Sequence, residues 1–96
     1  MTAYVVVDIA VTDPELYEEV KQRTPPIVEQ YGGRYLVRGG YTEALHGSWN
    51  PERLVLLSFD SLEQAKAWES SPEYNAVKQL RDRCARVNMV MVPGIR

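Results

Sequence analysis

The fold of this chain is decided by the run Leu54-Val55-Leu56-Leu57, in which four consecutive residues are apolar. Residues 4–7 and 89–92 form similar runs when tyrosine is counted as apolar. Successive side chains of a strand point to opposite faces of a sheet, so an apolar run needs cover on both faces. Two helical segments separate these runs, and together they can cover one face. The other face therefore needs a cover from outside the chain, and the simplest cover is a second copy.

The composition is typical of a folded domain. The chain has 96 residues, of which 45% are hydrophobic and 25% charged, and this predicts one domain over residues 1–96. A net charge of −2 with mixed signs provides no basic face for phosphates, so we expect no nucleic-acid partner. No segment approaches the roughly 20 apolar residues that span a bilayer, so we expect no membrane contact. The first residues lack a basic region and Asp8 interrupts the first apolar run, which argues against a signal peptide and favours a cytoplasmic location.

The first half of the chain predicts a strand, a helical segment and a second strand. The first strand covers residues 4–11, and the helix after it can begin in two ways. Either Asp13 is the N-cap with Pro14 in the first turn, or Thr12 and Glu15 form a capping box.

This helical segment is expected to break at Thr24-Pro25-Pro26, because a proline inside a helix removes an amide donor and clashes with the preceding turn. Thr24 would then cap a second short helix, which ends at Gly32-Gly33. A strand over residues 34–38 follows.

The second half repeats this layout. A strand over residues 53–60 leads into a capping box at residues 61–64. Residues 70–73 interrupt this helical segment and cap another helix, and a last strand covers residues 86–92. Two successive β-α-β units predict an α+β fold, the split βαβ or ferredoxin-like sandwich with an antiparallel sheet. Right-handed crossovers put the helices on one face of that sheet, which leaves the opposite face bare.

The two halves are joined by residues 39–52, a connection longer than the usual length of about 4–6 residues. Residues 41–46 partly alternate in polarity, so they can form a short extra strand. In a dimer the connection is placed to reach the partner. Its aromatic residues, Tyr41 and Trp49, can either line the mouth of a pocket or seal the dimer.

Alternation along the strands also predicts which side chains share a face. One side of the first strand is wholly apolar, and we assign it to the helices; it holds Val5, Val7, Ile9 and Val11. The register of the second strand is open by one residue, and the last strand can present either Asn88 or its methionines. The mixed face is then expected to carry Tyr4, Asp8, Ser58, Arg38 and either Asn88 or Met89 with Met91. Buried polar groups need partners, so these groups either satisfy one another or surround a ligand.

The first pairing to expect on this face is Asp8 with Arg38. It can be an ion pair that fixes the register of the strands or of the dimer. Alternatively, Arg38 can hold a substrate carboxylate or enolate while Asp8 acts as a base or an orienting group. His46 is the single histidine, and it can either move a proton or lie exposed in the connection. The candidate catalytic residues are Asp8, Arg38 and His46, and the candidate ligand-binding residues are Tyr4, Arg38, Tyr41 and Ser58.

Several classes of site are disfavoured by the sequence. One histidine and one cysteine, Cys84, give neither a disulfide nor a classical metal-ligand cluster. The chain has no Gly-x-Ser-x-Gly elbow, Gly-x-Gly-x-x-Gly motif or P-loop. We therefore predict no metal and no cofactor. Core packing, with a hydrogen bond to the hydroxyl or indole group, is predicted for four aromatic residues at helix positions: Tyr17, Tyr31, Trp68 and Tyr74.

Residues 31–40, which read Tyr-Gly-Gly-Arg-Tyr-Leu-Val-Arg-Gly-Gly, resemble a recurrent segment of a bacterial family, the domain of unknown function 1330. Further matching pieces are residues 12–14, 51–55, 59–61, 67–68 and 71–74, so the resemblance covers nearly the whole chain. The resemblance implies the dimeric α/β-barrel superfamily, in which two ferredoxin-like sheets pack face to face. That superfamily includes small monooxygenases and muconolactone-isomerase-like enzymes. The resemblance implies no agreed activity and no established catalytic residue.

Two functions are therefore open for the predicted homodimer. In the first, the protein is a metal-free enzyme acting on a small acidic or aromatic metabolite, either in the cleft between helices and sheet or between the two sheets. Arg38 would fix an anionic group, and Asp8 or His46 would move a proton. In the second, the protein is a non-catalytic binding or accessory module, in which the same polar groups fix the register.

Overall fold

The computed structural model describes residues 1–95, which form four strands and three helices. The elements are β1 (Ala3–Val11), α1 (Pro14–Gln30), β2 (Arg34–Gly40), β3 (Arg53–Phe59), α2 (Leu62–Glu69), α3 (Pro72–Asp82) and β4 (Ala85–Pro93). The strands make one antiparallel sheet in the order β2-β3-β1-β4. This order is that of the predicted ferredoxin-like α+β fold.

Both ends of α1 are fixed by short-range hydrogen bonds. Asp13 is the N-cap, and its side chain accepts a bond of 3.2 Å from the amide of Leu16, so the first of the two predicted helix starts is correct. At the other end Gly32 adopts a positive φ of 82°, and the Gly33 amide donates to the Val28 carbonyl at 2.9 Å. This is the left-handed glycine ending that the Gly-Gly pair predicts.

Helix α1 continues through Pro25 and Pro26, so the predicted break at residues 24–26 and the separate second helix are wrong. Pro25 has no amide to donate to the carbonyl of Lys21, four residues earlier. That carbonyl instead accepts a hydrogen bond of 2.8 Å from Nη2 of Arg38 in β2. The Arg38 side chain from the sheet thus replaces the amide donor that Pro25 lacks, and the helix stays intact.

The helix-facing side of the sheet, called here the helix side, carries the core. Its buried strand residues include Val5, Val7, Ile9, Val55, Leu57 and Phe59. From the helices, Trp68 and Val77 pack into the same core with almost no exposed surface. The predicted assignment of the apolar face to the helices is therefore confirmed.

The opposite side of the sheet, called here the open face, bears no helix among residues 1–95. The strand register assigns to it Tyr4, Val6, Asp8, Leu54, Leu56, Ser58, Asn88, Val90 and Val92. Asn88 pairs with Asp8 across β1 and β4, so the Asn88 alternative is correct and the methionines lie on the helix side. Val90 is 62% exposed, which leaves apolar surface in contact with solvent.

A β-bulge in β2 decides where Arg38 lies. The register of β2 on β3 shifts between Tyr35 and Val37. As a result Tyr35 lies opposite Leu57 and Arg38 lies opposite Val55, and both side chains belong to the helix side. The predicted place of Arg38 on the mixed face is wrong, because simple alternation does not anticipate the extra residue.

The connection between β2 and β3 has no regular structure. Residues 41–46 form no strand, in contrast to the suggested short extra strand, and Tyr41 is 89% exposed. The connection is held against the open face by Trp49, whose indole Nε1 donates to Oδ2 of Asp8 at 3.0 Å. Across residues 1–95, none of the helices has the length and apolar character that a bilayer crossing requires.

Candidate ligand-binding cavity

A cavity of about 50 Å³ lies between the helices and the helix side of the sheet. Its polar and aromatic lining consists of Tyr17, Lys21, Thr24, Tyr35, Arg38, Arg53, Trp68, Tyr74 and Arg81. Its remaining walls are aliphatic side chains of the core. Four of the lining residues are cationic, and no carboxylate of residues 1–95 lines the cavity. The lining therefore favours a ligand with negative charge and hydrogen-bond acceptors.

Arg53 reaches the cavity because it begins β3 in the same alternation as Val55 and Leu57, which are buried on the helix side. Its guanidinium lies 5.6 Å from the ring centroid of Tyr17. The Arg53 Nε atom is buried without a hydrogen-bond partner in the described part of the chain, and Arg53 forms no ion pair there. A buried guanidinium N–H without an acceptor is costly, so this group is suited to receive one from a ligand.

Gly39 leaves the space that the Arg53 guanidinium occupies. A Cβ atom at position 39 would lie 2.3 Å from Nη1 of Arg53, and the φ of Gly39 is +72°. The left-handed backbone favours glycine, and a Cβ atom here would also displace the Arg53 guanidinium from its place. The second Gly-Gly pair of the sequence thus helps to place a cavity residue.

Trp68 supplies a second buried donor. It lies in α2 with 1% of its surface exposed, and its ring stacks on Tyr74 at a centroid distance of 4.3 Å. Its indole Nε1 has no hydrogen-bond partner within residues 1–95. Trp68 and Arg53 both line this cavity, and each has a buried N–H group without a partner in residues 1–95. A ligand with several acceptor oxygens offers the kind of partner that such groups need.

Tyr35 lies beside two cations of the cavity. Burial raises the pKa of Tyr35 to about 12, against the opposing effect of the Arg38 and Arg53 charges. The Arg38 guanidinium lies 5.2 Å from the centroid of the Tyr35 ring. Because the phenol keeps its proton at neutral pH, Tyr35 is a hydrogen-bond donor and not a base.

The remaining cations of the cavity have carboxylate partners outside it. Nη1 of Arg81 donates to the Tyr74 hydroxyl at 3.1 Å, and its Nη2 lies 3.1 Å from Oδ1 of Asp82. Lys21 pairs with Glu18 at 2.8 Å on the surface of α1. Burial also raises the pKa of Tyr74, against the lowering effect of Arg81. Among the cations that line the cavity, Arg38 and Arg53 are thus the two without a carboxylate partner in residues 1–95, which makes them the strongest candidates for holding an anion.

The predicted pair of Asp8 with Arg38 does not form. Asp8 lies on the open face, opposite Leu54, whereas Arg38 lies on the helix side, opposite Val55. The hydrogen-bond partner of Asp8 is the indole of Trp49. Thus the sheet separates the two residues.

The other predicted site residues gather on the open face or in the connection. Tyr4 and Ser58 are neighbours in the register of β1 and β3, and the buried Ser58 hydroxyl has no hydrogen-bond partner in residues 1–95. His46 is exposed and lines a shallow groove of the connection together with Trp49, while Tyr41 points away into solvent. These residues are therefore not part of the cavity.

Sequence reasoning missed most of the cavity lining. The predicted core packing of Trp68 and Tyr74 is correct for their rings, and the Tyr74 hydroxyl is hydrogen-bonded, but the predicted hydrogen bond of the Trp68 indole is absent in residues 1–95. For Arg53 a signal exists, because it alternates with Val55 on a strand whose other helix-side residues are apolar. Charged residues are seldom buried without a partner, so an arginine at a strand position that alternates with buried apolar residues indicates a buried polar site. No group of three or more His, Cys, Asp or Glu side chains in residues 1–95 is placed to hold a metal ion.

Comparisons with known proteins place the chain in one family and one fold. The model of the domain of unknown function 1330 (DUF1330) matches residues 2–95. No curated protein sequence matches the chain. The crystal structure of RPA0582, a protein of unknown function from Rhodopseudomonas palustris, is similar with a TM-score of 0.81 and 12% identity, over 99% of this chain and 83% of that one.

Two further crystal structures share the fold at low identity. SnoaB, a cofactor-independent oxygenase from Streptomyces nogalater, has a TM-score of 0.67 and 10% identity over 99% of this chain and 94% of its own. A dimeric protein of unknown function with a ferredoxin-like fold, from Bacteroides fragilis, has a TM-score of 0.55 and 16% identity, over 95% and 94% of the two chains. At such identities the likeness extends to the fold alone.

Proposed function

This chain belongs to the DUF1330 family, and we propose that it binds a small organic carboxylate in the cavity between its helices and its sheet. The observation that carries this proposal is a polar lining with four cations and no carboxylate of residues 1–95, in which Arg53 and Trp68 each have a buried, unpaired N–H group. A carboxylate offers two oxygens with about four acceptor positions, which matches this lining. The aromatic rings of Tyr17 and Trp68 suit a planar ligand body beside the anionic group.

Calorimetric titration with benzoate and benzamide tests the proposal. The two probes have nearly the same shape, but benzoate alone carries a negative charge. We expect benzoate to bind at least about tenfold more tightly, since a hydrogen bond to a charged group contributes about 1.5 to 3 kcal/mol. Equal affinity for the two probes, or binding of neither, would contradict the proposal.

A pair of arginine variants locates the binding to the cavity. Arg53→Met removes the guanidinium with the buried Nε and keeps an apolar side chain, so benzoate affinity should fall by about tenfold or more. Arg23→Met removes the same charge from the exposed surface of α1, where Arg23 pairs with Glu19, and should leave the affinity unchanged. A similar loss in both variants would indicate a general charge effect and not a site at Arg53.

A second candidate is an enzyme that stabilises the enolate or phenolate form of its substrate. The positive, donor-rich lining favours it, because preorganised donors lower the free energy of a developing oxyanion. SnoaB, which shares the fold, is described as a cofactor-independent oxygenase. Absorbance titration of 4-nitrophenol with and without the protein tests this candidate. The pKa of 4-nitrophenol should fall on binding. An unchanged or raised pKa of 4-nitrophenol would argue against the enzyme and for a protein that only binds its ligand.

The proposed assembly is a homodimer formed through the open face. The support is the exposed apolar surface of that face, with Val90 and Val92 uncovered, together with the buried, unpaired hydroxyl of Ser58. The similar protein from Bacteroides fragilis is described as dimeric. Two sheets packed face to face would cover the apolar side chains that no helix of residues 1–95 reaches.

The roles predicted for the residues outside the cavity stay predictions. These roles would require a second site, between the sheets of the proposed dimer. There, Asp8 or His46 would carry a proton, and the ligand contacts would come from Tyr4, Tyr41 or Ser58. Asp8 already accepts a hydrogen bond from Trp49, which favours a structural role for it.

A further inference from the structure

Arg38 lies at the outer end of the cavity, where its side chain connects the sheet to a helix. Arg38 is exposed, whereas Trp68 is buried in the same cavity. The guanidinium lies over the ring of Tyr35 in β2 and donates to the Lys21 carbonyl in α1. Its side chain therefore crosses the gap between β2 and α1 at the side of the cavity that faces solvent.

The acceptor of Arg38 is available because of one residue, Pro25. In an uninterrupted helix the amide of residue 25 would donate to the carbonyl of Lys21. Pro25 lacks that amide, so the carbonyl is left to a donor from outside the helix. The neighbouring Pro26 likewise removes the amide that would donate to the Gln22 carbonyl, but the hydrogen bond of Arg38 in residues 1–95 goes to Lys21 and not to Gln22.

We propose that Arg38 is an exchangeable clamp, which leaves the Lys21 carbonyl to bind the carboxylate of a ligand that enters the cavity. The proposal rests on the carboxylate-binding function proposed above. A carboxylate is a stronger acceptor for guanidinium than a neutral carbonyl, and it can accept two parallel bonds. Charge and geometry therefore both favour the move of Arg38 from the carbonyl to the carboxylate. Until a ligand enters, the Lys21 carbonyl, which lacks a helical donor because of Pro25, holds Arg38 beside the cavity.

The size of the cavity also supports a movement of Arg38. A volume of about 50 Å³ has room for roughly three to five water molecules. A planar aromatic acid is larger than this, so its entry requires a lining group to move. Arg38 is suited to move because it is exposed and is held by one hydrogen bond to a neutral acceptor.

A matched pair of proline variants tests the clamp. Pro25→Ala restores an amide that competes with Arg38 for the Lys21 carbonyl, and Pro26→Ala restores one to Gln22 instead. Both changes favour the helix, so both variants should fold. We expect Pro25→Ala to bind benzoate about fivefold more tightly than the natural sequence, which corresponds to the net contribution of one hydrogen bond. We expect Pro26→Ala to bind it with unchanged affinity.

Each result has a distinct meaning. Tighter binding in Pro25→Ala alone supports the clamp. If the natural sequence binds benzoate but neither variant changes the affinity, or both variants change it equally, the clamp is overturned while the proposed function stands. If the natural sequence binds no benzoate, the proposed function fails, and the clamp fails with it.

Discussion

The Tyr35 phenol lies beside two guanidinium groups, and yet its pKa is raised to about 12. Neighbouring cations favour the phenolate and burial favours the phenol, so the raised pKa shows that burial outweighs the charges of Arg38 and Arg53 at this position. Tyr35 thus belongs to the donors of the cavity at any physiological pH, and a base must be sought in another residue.

The raised pKa of Tyr35 predicts a loss of stability in alkali. The unfolded-state pKa is about 10, so this contribution is complete below about pH 10 and is lost as the pH rises through about 12. Between about pH 9 and pH 11.5, the free energy of unfolding of the natural sequence should fall more than that of Tyr35→Phe, which has no proton to lose. Urea unfolding followed by circular dichroism measures the difference.

The control for this prediction is Tyr41→Phe. Tyr41 is almost fully exposed in the connection, so its replacement should leave the alkaline loss as large as in the natural sequence. An equal alkaline loss in Tyr35→Phe and in the natural sequence would show that Tyr35 titrates alike in the folded and unfolded states.

At the residue scale, alternation predicted the faces of β1 and β3 but not the face of Arg38. The two continuous strands follow the simple period of two, so Val5 and Leu57 fall on the side where the pattern places them. In β2 the bulge after Tyr35 adds one residue, so Val37 and Arg38 change face before the register shifts again ahead of Gly40. The residues themselves carry no strong signal for this bulge, which depends on the pairing with β3.

At the scale of elements, the local rules predicted the helix starts and the glycine ending but not the continuity of α1. Asp13, Ser61 and Ser71 cap their helices through hydrogen bonds to residues three positions later, which the sequence displays. The replacement of the missing Pro25 amide comes instead from Arg38, in a different element. A rule that counts donors within a helix cannot anticipate it.

The junction between α2 and α3 depends on Ser71. Its buried hydroxyl accepts from the Tyr74 amide at 3.1 Å and donates to the Trp68 carbonyl at 2.7 Å, so one atom caps α3 and joins it to α2. Ser71→Ala should lower the free energy of unfolding by about 1 to 2 kcal/mol. Urea unfolding at neutral pH provides the measurement.

The adjacent serine offers a control for Ser71. Ser70 is exposed, and its hydroxyl donates to the Lys66 carbonyl within the same turn. Ser70→Ala should therefore change the free energy of unfolding by less than about 0.5 kcal/mol. A Ser71→Ala protein as stable as Ser70→Ala would show that the junction is held by the packing of Trp68 and Tyr74 alone.

At the scale of the whole molecule, the sequence predicted that one face of the sheet is covered by helices and the other is not, because it has too few helical segments to cover the apolar strands on both faces. One side is covered by all three helices, and the other presents apolar side chains of β1, β3 and β4. The position of the connection could not be predicted, because it depends on a bond between Trp49 and Asp8, which are far apart in sequence. The homodimer itself stays a prediction.

The open face should lose its self-association when a charge is placed on it. Val90→Lys puts an ammonium group on the exposed centre of β4, where a second sheet would have to desolvate it. At micromolar concentration we expect the natural sequence to sediment as a dimer and Val90→Lys as a folded monomer. Gln22→Lys adds the same charge on the exposed surface of α1 and should remain dimeric. A natural sequence that sediments as a monomer would remove the open face as an interface.

The two tryptophans of the chain report on the two sides of the sheet, and their indole N–H resonances can be followed together. Trp68 belongs to the cavity on the helix side, and Trp49 is bonded to Asp8 on the open face. The most direct measurement is a titration of the ¹⁵N-labelled protein with benzoate, with benzamide as the reference. We predict that the Trp68 indole resonance moves with benzoate while that of Trp49 stays in place. A shift of Trp49 without a shift of Trp68, or identical responses to both probes, would contradict a carboxylate site in the cavity.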